Sequence, residues 1–253
     1  MNEFPAATHP LRALFYPRSV ALVGASERSP WSSFIAHNLG VTGYQGQVFS
    51  VNREAKPAHG FPGFSSCRQI AETPDLAYLM VPAEVILEAF EDAAAAGIRN
   101  MVVLSSGFAE MSEEGASLQQ RLVQRAAELG VRFLGPNSLG FANLSIQAPM
   151  TPVPTRLPLL PGKIALISQS GATNAEITEF AHQSGVGLSL YIATGNEAQI
   201  EVPYCTYGQF HRFSQDHMQA HSGEVFDIRF DSNLWIFTGK CCHRPLIELG
   251  ELT

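Results

Sequence analysis

The 253-residue sequence is short of charge, and of positive charge above all: 16 lysines and arginines stand against 23 aspartates and glutamates, a formal net charge of -7. That balance excludes a chain-wide basic field for gripping nucleic acid. Charged residues make up only 15% of the chain and hydrophobic ones 45%, which is too apolar for a disordered polymer, so the chain is expected to fold. Long apolar runs are missing too, and nothing approaches the ~18 residues of a membrane span. Glu3, His9, Arg12 and Arg18 break up the N-terminal stretch where a secretion signal would need a continuous apolar core. A cytoplasmic location is the expectation. Cysteine is scarce, four residues in all, so reduced thiols are expected rather than a disulfide framework.

What is present is alternation. At ~150 residues per domain the length allows one large domain or two small ones. Between Ser19 and Gly135, short β-branched runs alternate with longer segments of helical period, each run closed by a turn signal, which is the pattern of a parallel α/β sheet. The predicted strands are 20–23, 47–51, 76–81, 101–104 and 131–134. The predicted helices run from Pro30 or Trp31 to Leu39, from Glu84 to Ala96, and from about Ser112 to Leu129, where Gly130 ends the last of them. Five strands with right-handed crossovers predict a Rossmann-like, doubly wound sheet. The loops after Val23, Val51, Val81, Leu104 and Leu134 are then expected to converge on one site beyond the carboxyl ends of the strands.

Prolines 149, 152, 154, 158 and 161 predict a linker over 143–162, after a first domain spanning 11–142. A second, partial α/β unit follows at 163–201: a strand 163–167, the turn Ser168-Gln169-Ser170-Gly171, a helix 172–182, a strand 187–192 and the turn Gly195-Asn196-Glu197. Composition then changes abruptly. Residues 1–201 hold 28 alanines, whereas 202–253 hold only Ala220, together with four of the eight histidines and three of the four cysteines. The segment 202–253 reads as an atypical tail, such as a shifted reading frame would produce.

Gly24-Ala25-Ser26, between a buried strand and a helix, is the strongest local signal. A loop there brings backbone N–H groups and the positive end of a helix dipole close to a phosphate. The dinucleotide pattern G-x-G-x-x-G is incomplete, because no second glycine follows within 25–29. After the second strand, Asn52-Arg53-Glu54-Ala55-Lys56 places cations where NAD sites carry a carboxylate, which suits a phosphorylated ribose or, equally, a solvated loop. Ser168-Gln169-Ser170-Gly171 presents hydroxyls and N–H groups to an anion, or simply caps its helix. It does not match the hydrolase pattern G-x-S-x-G, since Ile167 precedes Ser168. His217 and His221, four apart, with Cys205, Cys241, Cys242 or His243, match no standard zinc spacing, so no metal site is assigned. His37 and His182 read as structural.

In order along the chain, Leu14 to Val20 leading into Val23-Gly24-Ala25-Ser26, Val51-Asn52, Leu79 to Ala83, Ser106-Gly107-Phe108, Gly135 to Gly140, Ile167 to Gly171 and Gly195-Asn196-Glu197 resemble the α-type portion of the nucleoside-diphosphate-forming acyl-CoA synthetases. This group includes succinyl-CoA synthetase α subunits and ADP-forming acetate–CoA ligases. The resemblance covers about residues 11–201. It implies a CoA-binding Rossmann-like domain followed by a flavodoxin-like domain. It also implies CoA contacts from Gly24, Ser26, Glu27, Arg28, Ser29, Asn52, Arg53, Lys56, Val81, Pro82, Ala83, Leu104, Ser105, Ser106 and Asn137, and a phosphate cradle at Ser168, Gln169, Ser170 and Gly171.

In that family a phosphoryl group passes from ATP to a histidine and then to a carboxylic acid, and CoA intercepts the acyl phosphate. ATP and Mg belong to an ATP-grasp subunit or domain, for which this length has no room. No segment among 202–253 matches the carrier histidine's glycine-containing loop, although His221-Ser222-Gly223 is superficially similar, so no catalytic residue is assigned. Ser32 and Ser33 stand where family members often carry a glycine. The implied function is the CoA-binding portion of an acid–CoA ligase, its partners CoA, a small carboxylic acid and the ATP-grasp part, and the chain alone is expected not to turn over. Two other readings are a non-catalytic CoA-sensing or interaction module and an NAD(P)-binding oxidoreductase domain.

Overall fold

The computed structural model describes residues 11–154, 160–201, 224–231 and 234–240. A short helix α1 (Arg12–Phe15) precedes β1 (Ser19–Val23), α2 (Pro30–Thr42), β2 (Gln47–Val51), β3 (Gly63–Phe64), β4 (Leu76–Leu79), α3 (Ile86–Ala95), β5 (Asn100–Val103), α4 (Glu113–Leu129) and β6 (Arg132–Leu134). Sheet order is β3-β2-β1-β4-β5-β6, with every described pairing parallel. This is the Rossmann-like order that the alternation predicted, and its winding reverses between β1 and β4. The sequence reading found five of the six strands. It missed β3, whose two residues carry no periodicity and join the edge only by pairing with Ser50 and Val51.

Local chemistry sets the helix ends. Ser29 Oγ accepts the Ser32 N–H at the start of α2, with Pro30 in the first turn where its missing donor costs nothing. Ser112 does the same for α4, with Glu113 and Glu114 complementing the dipole, and Gly130 closes that helix. The central strands of the first sheet, β1, β4 and β5, are buried on both faces. Ile86, Phe90 and Ala93 of α3 cover one face, where Phe90 meets Phe133 edge-on at 5.8 Å.

The second sheet comprises β7 (Gly140–Asn143), β8 (Ala148–Met150), β9 (Pro161–Ser168), β10 (Leu188–Ala193), β11 (Glu224–Asp231) and β12 (Leu234–Lys240), in the order β11-β12-β9-β10-β7-β8. Helix α5 (Gly171–Gln183) crosses between the parallel pair β9 and β10, and the other pairings are antiparallel. One expectation changes here. Residues 143–162 are not simply a linker: Asn143 ends β7, Ala148–Met150 is a strand, and Pro161 opens β9. Pro149 is tolerated because β8 lies at the edge, where a missing N–H breaks no ladder. In the compositionally odd tail, residues 224–231 and 234–240 pair as a hairpin and extend the sheet from β9.

The two sheets share one apolar cluster. Phe15, Leu22 and Leu76 pack with Phe141, Met150, Ile167 and Ile192, and Phe15 meets Phe141 edge-on at 5.1 Å. Full burial of each such side chain contributes roughly 1.5–3 kcal/mol. Hydrogen bonds fix the seam: Asn143 Nδ2 donates to Phe15 O at 2.9 Å, and Asn38 Nδ2 to Thr151 O and Val153 O at 2.8 Å each. Among the described residues, no helix is long and apolar enough to cross a membrane.

Candidate functional site

The carboxyl ends of β1, β2 and β4 open onto a crevice of about 900 Å³ lined by Gly24, Asn52, Arg53, Arg68, Val81 and Pro82, among others. It lies where the winding of the sheet reverses, the place such sheets bind ligands. Gly24 sets its floor. With φ +91, and with a hypothetical Cβ only 2.9 Å from Met80 O, the position admits no side chain without moving β4.

The turn after Gly24 is held by side chains. Gly24 N–H donates to Val51 O at 2.8 Å, Ser26 N–H to Ser32 Oγ at 3.3 Å, and Ser29 N–H to Ser26 O at 3.0 Å. Ser32, fully buried, returns its hydroxyl to Ser26 O at 3.1 Å. His59 then clamps the turn: its Nε2 lies 2.8 Å from Ser32 Oγ, its backbone N–H donates to Glu27 Oε1 at 2.7 Å, and its Nδ1 lies 3.6 Å from Glu27 Oε2. The sequence reading missed His59, which falls in an irregular loop. Of the residues expected around the first loop, Gly24 faces the crevice, whereas Ser26, Glu27, Arg28 and Ser29 build the turn into α2.

Asn52 also shapes backbone. Its Oδ1 accepts the N–H groups of Glu54 and Lys56 at 3.2 and 3.1 Å, and its Nδ2 donates to Lys56 O at 2.7 Å. Arg53 lines the crevice, while Lys56 is paired with Glu54 at the surface. That pairing, with Arg28 opposite, holds the Glu54 carboxyl below its usual range. A second cation, Arg68, was not foreseen. Its Nε lies 3.0 Å from Asp92 Oδ1, and Asp92 also takes the Ser66 hydroxyl at 2.6 Å and the Cys67 N–H at 2.8 Å. The Cys67 thiol is pushed up to about 12 by burial and then by the Asp92 charge, so it offers no thiolate at neutral pH.

Leu104 is buried and Ser105 backs the crevice wall, while Ser106 is exposed. Ser105 Oγ donates to Val81 O at 2.5 Å, and Gly107 approaches Ala83. Asn137 goes elsewhere, because the expected single convergence divides in two. Asn137 lines a second pocket of about 490 Å³ with Leu139, Gln169, Ser170, Gly171, Ala172, Gly195 and Asn196. Ser170 Oγ caps α5 by accepting the Thr173 N–H at 3.2 Å, leaving Gly171 and Ala172 in the first turn, where helical N–H groups have no intrahelical acceptor. Ser168 is buried, with its hydroxyl turned back on Ser170. Gly195, at φ +67, packs so closely that a Cβ would lie 2.4 Å from Pro136 O.

Among the described residues, no group of three histidine, cysteine or acidic side chains could hold a metal ion. His217, His221, Cys205, Cys241, Cys242, His243 and the segment His221-Ser222-Gly223 lie outside the described residues.

Comparison with known proteins places the chain in a family. Residues 18–143 match the model of a CoA binding domain and residues 161–207 that of a succinyl-CoA ligase like flavodoxin domain. The chain is 36% identical over 192 residues to ADP-forming acetate–CoA ligase I of Archaeoglobus fulgidus, covering 76% of this chain and 27% of that protein. It is 35% identical over 196 residues to the α subunit of ADP-forming acetate–CoA ligase I of Pyrococcus furiosus, covering 76% and 42%. An apo structure described as the dinucleotide forming acetyl-coenzyme A synthetase 1 of Ca. Korarchaeum cryptofilum superposes with a TM-score of 0.73 at 31% identity, covering 81% of this chain and 43% of that one. The chain thus spans less than half the length of these relatives. Its two matched domains, their order and their sheet topology make it a member of the nucleoside-diphosphate-forming acyl-CoA synthetase family, with the α-type regions of ADP-forming acetate–CoA ligases among its homologues.

Proposed function

We propose that this chain supplies the CoA-binding part of an acid–CoA ligase that joins a carboxylic acid to CoA. The observation that carries this reading is the crevice at the reversal of the first sheet. Gly24, at φ +91 and packed against Met80, forms its floor, its rim carries Arg53 and the Asp92-paired Arg68, and it lies within the stretch that matches a CoA binding domain. Guanidinium groups suit the phosphates of CoA because their planar donors match paired oxygens. When bound, CoA would supply the thiol that takes up the acyl group. This chain's residues bind and orient it: Gly24 by the tight turn it permits, Arg53 by charge, and Val81 and Pro82 as the apolar wall.

The pocket at the start of α5 is the companion anion site, with Gln169, Ser170 and Gly171 around a phosphate and Asn137 opposite. The solved relative from Ca. Korarchaeum cryptofilum is also described in complex with phosphate and ADP. ATP and Mg are assigned to an ATP-grasp subunit or domain working with this chain in the cytoplasm. Calorimetric titration tests the reading. CoA is expected to release heat and raise the melting temperature, and dephospho-CoA to bind more weakly for want of one phosphate. Absence of heat and thermal shift with both would remove it.

A further inference from the structure

Between the two crevices lies a polar cluster that lines only one of them and touches the supports of both. Glu110 Oε1 accepts the N–H groups of Gly107 and Phe108 at 2.7 and 3.2 Å, so it shapes the loop after β5. Its other oxygen, Oε2, accepts Asn196 Nδ2 across the seam, and Gln119 Oε1 accepts the same amide at 3.0 Å. Asn196 lines the pocket at the start of α5, where its Oδ1 lies 3.5 Å from Asn137 Nδ2. On the other side, the loop that Glu110 shapes holds the wall of the CoA crevice through Ser105 and Val81, and Ser105 O accepts the Asn137 N–H at 2.9 Å. One carboxylate therefore belongs to two loops, one supporting each crevice.

We infer that Glu110 is a positioning residue that couples the two sites: through Asn196 it ties the loop after β5 to the turn after β10, so that CoA in the first crevice and an anion at the start of α5 strengthen each other's binding. The inference rests on the ligand assignment proposed above. Its physical basis is shared ordering, since a ligand that fixes one loop has already met part of the cost of fixing the other. Linkage requires the effect to be reciprocal.

The test is titration of the full chain with inorganic phosphate, with and without saturating CoA, and with CoA, with and without saturating phosphate. Each ligand is expected to tighten the other by the same factor, about fivefold or more. Glu110→Gln leaves one acceptor oxygen where two are used. It is expected to bring that factor close to one while each ligand alone binds within about twofold of the wild type, a pattern that general loss of structure does not give. If Glu110→Gln melts without cooperativity, Gln119→Ala, which removes the second acceptor, is expected to lower the factor about twofold. A wild-type factor of one, or a factor unchanged in the variant, overturns the coupling while leaving CoA binding intact. No heat with CoA alone overturns the ligand assignment and the coupling with it.

Discussion

The corner between β1 and α2 and the corner between β9 and α5 are both capped by serine, Ser29 and Ser170, and both join a buried strand to a 13-residue helix. They differ in what the cap leaves exposed. At the first corner, Pro30 removes one N–H, Ser32 and His59 occupy the inside of the turn, and the crevice opens beside Gly24. At the second, Gly171 and Ala172 themselves line the pocket. The same local device therefore builds a wall in one sheet and a helix end open to a pocket in the other. What surrounds the serine decides which.

Substitution should separate the two corners. The largest effect is expected at Gly195→Ala, where a left-handed backbone and a Cβ 2.4 Å from Pro136 O act together. A loss of about 3 kcal/mol in urea unfolding is expected, with phosphate binding reduced more than CoA binding. Gly24→Ala meets Met80 O at 2.9 Å and should cost about 2 kcal/mol and reverse that selectivity, abolishing the CoA heat first. If both variants impair both ligands equally, the corners are not distinct.

His59→Ala leaves Ser32 without its 2.8 Å partner and frees Glu27 from the ring. It is expected to cost about 1–2 kcal/mol and weaken CoA binding, while His59→Gln recovers part of both by restoring a nitrogen near Ser32. Phosphate affinity should not move.

The smallest effect concerns acid. Burial alone would raise the Glu110 carboxyl, but donation from Asn196 and from the backbone of Gly107 and Phe108 outweighs it and holds the group below its ordinary value. A carboxyl depressed in the folded state adds stability that is present above its unfolded value and is lost as pH falls through the lower folded value. Glu110→Gln should therefore narrow the difference in urea midpoint between pH 7 and about pH 3.5, and leave a wild-type-like slope between pH 6 and 8.

Much of the first sheet was legible because its signals are local. β-branched runs such as 19–23 and 47–51, serine caps and a terminating glycine act within a few residues. The same was true of the turn at Ser168–Gly171. What local pattern did not show is everything that depends on a distant partner. β3 exists because β2 offers an edge, and β8 accepts Pro149 because no described strand pairs beyond it. His59, Arg68 and Glu110 sit in or beside irregular loops with no motif around them. Asn137 looked like part of the CoA crevice because its strand ends on the same side, yet the close approach of the 195–196 turn draws it into the other pocket.

The sequence by itself determined the alternating elements, the helix caps and the glycine at the first corner, because each follows from the preferences of a few neighbouring residues. Tertiary structure alone decided how the loops divide between two crevices, which side chains brace them, and that one carboxylate bonds to a loop beside each. Those outcomes depend on contacts between residues 86 positions apart, as Glu110 and Asn196 are, and such contacts form only once both sheets have packed against a shared core.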